Sequence, residues 1–121
     1  EERLPRLVAD GALVATAAGS TAYARAMGAT PLLVDTSALV LVGSNVIEPT
    51  GFKSALLSLD ARVSFRTLDA SKRPIAAFAD GVPLGKVVSF EARVSRIAAV
   101  ELVFTAGHDS AEKIAQIQFP N

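Results

Sequence analysis

The chain has 121 residues, 50% of them hydrophobic, which is enough apolar side chain for one core, and residues 1–121 read as a single domain. A formal net charge of +0, one Tyr and no Trp exclude a broad electrostatic or stacking surface, so neither nucleic acid nor a membrane is an expected partner. Cys is absent, which excludes disulfides and thiolate metal sites; without a signal-peptide pattern or an apolar run near the ~20 residues of a membrane helix, the expected location is cytoplasmic.

The opening "EERLPRL" carries no initiator Met, which suggests a piece of a longer protein. Residues 13–16 read as a buried strand. After the Gly-Ser-Thr break, residues 21–27 are Ala-rich and helix-forming, with Ser20 or Thr21 as N-cap and Gly28 as the stop. "ALVLV" (38–42) is a second apolar strand, followed by a loop, "GSNVIEPTG" (43–51). "ARVSFRTL" alternates, with Val63, Phe65 and Thr67 on one face, and "DASKRP" (69–74) forms a polar turn. "IAAFA" runs into Asp80-Gly81, a hairpin signal. "VVSFEARVSR" alternates again, with Val88, Phe90, Ala92 and Val94 on one face, and "AAVELVF" is another strand. Residues 110–116 read as a final helix. Roughly six or seven short strands with turns between them predict a mainly β chain, an antiparallel sandwich-like domain with one or two short helices.

No catalytic constellation stands out. His108 is the sole His, and with Asp109 and Glu112 it has the composition of a metal site. The same "HDSAE" reads more simply as the polar first turn of the last helix, where acids are favoured. The break "GST" at residues 19–21 has two readings: an ordinary capped turn, or a loop whose backbone N–H groups face a ligand. It is not a phosphate-binding Walker loop, because no Lys follows at the required spacing.

As a longer word the region is more specific. "DGALVATAAGSTAYARAMGATP" (10–31) resembles the segment D-G-x-x-V-x-T-P-x-G-S-T-A-Y-x-x-S-A-x-G-P of NAD kinases. "ALLSLDARVSFRTLDASKRPIAAFAD" (55–80), "VVSFEARV" and "FTAGHDSAEKIAQIQF" are similar to the matching segments of one bacterial branch, in the same order. The resemblance implies the β-rich C-terminal half of an enzyme that phosphorylates the ribose 2′-hydroxyl of NAD with ATP or polyphosphate. The α/β half with its catalytic Asp (in G-G-D-G), ATP and Mg²⁺ would lie upstream, so no kinase activity is expected from these residues alone. The resemblance also implies NAD-contacting roles for Asp10, Thr21, Ala22, Tyr23, Ala24, Arg25 and Ala26, and, by position, for Asn45. It implies contacts with other copies of the chain, in a dimer or tetramer.

The chain departs from the family word at three places. Ala17 stands where the family has Pro, Ala26 where it has Ser, and Gly28-Ala29-Thr30 carries one residue more before Pro31. Of the branch's cation-rich loop before "ALL", only Lys53 remains, which weakens contact with phosphates. Two other functions stay open beside NAD kinase: an oligomerisation module of a diverged paralogue, and a relative acting on a lipid or sugar.

Overall fold

The computed structural model describes residues 3–95 and 110–120. They fall into two compact units, Glu1–Leu59 with Ser95–Asn121 and Asp60–Val94.

The first unit is built on a three-stranded antiparallel sheet of β1 (Gly11–Thr16), β2 (Ala38–Ser44) and β3 (Ser54–Ser58), with β2 in the centre. The register sets Leu13 opposite Val42 and Ala15 opposite Val40. Alternation along a strand sends every second side chain to the same face, so these four share one side of the sheet. A 3₁₀ turn (Ala17–Thr21) and the single-turn helix α1 (Tyr23–Ala26) follow β1. Ala24, Ala29, Met27 and Leu32 pack with Val40 and Val42, alongside Leu13 and Ala15. Val42 and Ala24 are 0% exposed. Each buried Val is worth about 1.5–3 kcal/mol of transfer free energy, and the small Ala24 lets the helix come close to the sheet.

α1 ends in a Schellman motif. The N–H of Gly28 donates to the carbonyl of Arg25 at 2.9 Å, and that of Ala29 to the carbonyl of Ala24 at 2.9 Å. Gly28 sits at φ 104°, in the left-handed region where a Cβ is costly. The expected stop is therefore in place. The start of the helix is not where the sequence suggested. Residues 17–21 wind as 3₁₀, α1 begins at Tyr23, and its N-cap is Ala22, with no side-chain cap bond. Ser20 does not cap it because its hydroxyl is turned inward and engaged elsewhere. The second helix, α2 (Ser110–Gln118), extends two residues past the expected span and buries Ile114.

The second unit holds two antiparallel ribbons. β4 (Val63–Arg66) pairs with β7 (Ser89–Ala92), and β5 (Ile75–Ala79) with β6 (Val82–Val87). Asp80 and Gly81 join β5 to β6 with φ 49° and 80°, the positive pair that a two-residue hairpin turn requires. Val63 is buried and Phe65 half-buried while Ser64 and Arg66 face solvent, as the alternation predicted. Phe65 stacks on its cross-strand partner Phe90, with ring centroids 4.8 Å apart and planes at 19°. The β5–β6 ribbon leaves Phe78 66% and Val82 59% exposed. The mainly β, antiparallel expectation thus holds, and the described residues form three small sheets and two short α-helices. The strand expected in "AAVELVF" lies outside the described residues.

Candidate functional site

Asp10 stands immediately before β1, and its backbone N–H donates to the Ser44 carbonyl at 2.8 Å. The β1–β2 ladder ends at Gly11 opposite Ser44 and resumes as a bridge between Val8 and Glu48. Between these pairings, Ala9 and Asp10 on one side face Asn45, Val46 and Ile47 on the other. One extra residue on one strand is a β-bulge, and it turns the local side chains out of the regular pleat. Asn45 takes the bend at φ 51°, a conformation Asn tolerates better than most residues.

The bulge brings two expected site residues together across 35 positions. Asn45 Nδ2 donates to Asp10 Oδ2 at 2.6 Å, and both residues are exposed. A bond to a carboxylate is charge-assisted, so it orients the Asp10 side chain strongly. The carboxylate keeps lone pairs for a second donor, and the Asn45 amide keeps a carbonyl acceptor. Gly43 makes the bulge possible: a Cβ there would overlap the Val46 side chain, which closes over it.

The other expected residues form a second group on the 3₁₀ turn and α1. Thr21 is half-buried, while Ala22, Tyr23, Arg25 and Ala26 are exposed, Tyr23 to 79%. Ala24 differs, since its methyl is committed to the core under the helix. The helix ends at the Asp10 end of the sheet. Gly28 lies against the stem of Lys53, whose Cε would be 3.2 Å from a Cβ on Gly28. The Lys53 carbonyl in turn accepts the Gly43 N–H at 3.0 Å, and Gly43 pairs with Ala12, two positions from Asp10.

Three features escaped the sequence reading: the inward-facing Ser20, the requirement for Gly at 43, and the seat of Lys53 on Gly28. Only the last had a sequence signal, as the one cation left in its loop. His108 and Asp109 lie outside the described residues. Among the described residues no group of three or more His, Cys, Asp or Glu could hold a metal ion. The candidate residues themselves bring hydrogen-bonding groups, the flat face of Tyr23 and the charges of Asp10 and Arg25, with Lys53 close by. No helix among them is long and apolar enough to cross a membrane. A depression beside α2, lined by Glu112, Ala115, Gln116, Phe119 and Pro120, includes none of the candidate residues.

No protein-family model matches the chain. It is 39% identical over 117 residues to the NAD kinase of Cereibacter sphaeroides, covering 97% of this chain and 46% of that protein. It is 35% identical to the NAD kinase of Caulobacter vibrioides (97% of this chain, 45% of the relative) and 35% identical to that of Rickettsia felis (98% and 46%). The chain therefore spans about half the length of the curated relatives it matches.

Proposed function

We propose that this chain, which resembles bacterial NAD kinases over nearly its whole length, is the NAD-binding C-terminal half of a protein of that kind. The observation that carries the reading is the Asn45–Asp10 hydrogen bond of 2.6 Å, which joins two residues singled out independently of any contact between them. Asp10 accepts from a carboxamide or exocyclic amine of the dinucleotide while Asn45 holds the carboxylate in place. Thr21, Ala22 and Tyr23 supply backbone groups and a flat apolar face with a polar tip. Arg25 offers a guanidinium to a phosphate oxygen, and Ala26 flanks it. Ala24 contributes by seating the helix through its buried methyl rather than by touching the ligand.

In the whole protein, the reaction on this reading is phosphoryl transfer from ATP or polyphosphate to the ribose 2′-hydroxyl, in the cytoplasm. On this reading ATP and Mg²⁺ are held by the upstream half that the family resemblance implies. The share of catalysis assigned to this chain is orientation: it holds the acceptor hydroxyl where transfer can occur.

Calorimetric titration of NAD into the chain and into Asp10→Ala tests the reading. Loss of a hydrogen bond to a charged group is worth about 1.5–3 kcal/mol, so affinity falls at least about tenfold. Equal affinities, or heat from a lipid or sugar substrate but none from NAD, would reject it.

A second reading concerns self-association. Ile75 and Val82 on one face of the β5–β6 ribbon and Phe78 on the other are all about half exposed or more, apolar side chains suited to contact with a second copy of the chain.

A further inference from the structure

Ser20 is 0% exposed, the most deeply buried polar side chain among the described residues. Its Oγ donates to the Ala17 carbonyl at 2.6 Å and accepts the Leu32 N–H at 2.8 Å, with the Leu32 carbonyl at 3.4 Å as a longer second acceptor. One hydroxyl therefore ties the start of the segment 17–32 to its end, across 12 residues. Between those two points lie all the candidate residues on the 3₁₀ turn and α1.

Core packing of Ala24, Ala29, Met27 and Leu32 and the bonds at Gly28 and Ala29 hold the later part of the segment, so the tie matters most for its start, around residues 20–23. α1 has four residues and no side-chain cap, far short of the length at which a helix holds its own shape. Ala22, at φ −102° and ψ −124°, belongs neither to the 3₁₀ turn nor to the helix, so it sets the angle between them. The burial of Ala24 anchors one side of the helix; Ser20 closes the base of the loop. With both in place, Thr21 is half-buried and Ala22 and Tyr23 are exposed.

We infer that Ser20 is a positioning residue for the candidate NAD site: its hydroxyl latches the base of the 17–32 loop and thereby pre-organises Thr21, Ala22 and Tyr23 for the dinucleotide. This rests on the NAD reading above. Ser20 touches no ligand itself; it removes the ordering cost that binding would otherwise carry.

The test uses the 121-residue chain, in which Tyr23 is the only Tyr and Trp is absent, so its intrinsic emission reports this loop alone. Three measurements are made: amide exchange at Leu32, emission anisotropy of Tyr23, and calorimetric NAD affinity, across wild type, Ser20→Cys and Ser20→Ala. In wild type the Leu32 amide exchanges slowly. In Ser20→Ala, with the fold checked by circular dichroism, Leu32 exchange accelerates, Tyr23 anisotropy falls, and NAD affinity drops about tenfold. Ser20→Cys, whose thiol is a weaker donor and acceptor of similar size, falls between the two.

A folded Ser20→Ala with wild-type anisotropy and affinity overturns the inference, as does fast exchange at Leu32 in wild type. If Ser20→Ala does not fold, the cysteine variant decides: part-way values support the latch, and wild-type values overturn it. A wild-type chain that binds no NAD sinks the NAD reading instead, while Leu32 exchange and Tyr23 anisotropy still judge the latch.

Discussion

Replacing Gly43 by Ala tests the geometry that joins Asp10 to Asn45. The added Cβ would overlap Val46 Cγ2 and come within 3.8 Å of Leu7 Cδ1, so the Val46 side chain has to move. Val46 is the neighbour of Asn45 on the bulge, and its displacement shifts the amide that donates to Asp10 at 2.6 Å. Overpacking of this kind costs about 1–3 kcal/mol. In a chain of this length each kcal/mol lowers the melting temperature by about 4 °C. The cost should vanish when the clashing methyls are removed. In a Val46→Ala background, Gly43→Ala is expected to cost no more than about 0.5 kcal/mol, within the additivity error of a double-mutant cycle. Denaturant unfolding of the four chains measures the coupling, and NAD calorimetry on the same samples reads the site. A Gly43→Ala chain as stable as wild type, or one that Val46→Ala fails to rescue, would refute the reasoning.

Two further outcomes are expected. Asn45→Gly keeps the left-handed backbone, φ 51° in the native chain, while deleting the amide. Stability should change by no more than about 0.5 kcal/mol, while NAD affinity falls about threefold or more, as loss of one hydrogen bond implies; an unchanged affinity by calorimetry would remove Asn45 from the site. Phe78→Glu places a charge on the apolar β5–β6 ribbon. Light scattering should show wild-type oligomers shifted towards monomer by this substitution, and a wild-type chain that is monomeric at high micromolar concentration would end the self-association reading.

Much of the candidate site was legible because it lies in one short word. Asp10 and residues 21–26 are close in sequence, and the family resemblance points to them through residue types alone. The strands β1 and β2, the Asp80-Gly81 hairpin and the stop at Gly28 were legible for a different reason. Each depends on local chemistry: apolar runs, paired positive φ, and a residue without a Cβ. The same local logic misplaced the helix start. Gly-Ser-Thr reads as a cap because a Ser hydroxyl near a helix start usually meets its N–H groups. Here a partner 12 residues away, the Leu32 N–H, takes the hydroxyl instead. Nothing in the word could announce that competition.

The amino-acid sequence by itself determined the antiparallel β character, the turn positions and the family resemblance, since all three rest on residue types within a few positions of one another. The tertiary structure alone decided the use of those residues. It turned Ser20 inward, placed Ala24 under the helix instead of on its open face, and closed Asp10 on Asn45 across 35 positions. Such pairings depend on register and on a bulge, and shifting either by a single residue sends every side chain to the opposite face.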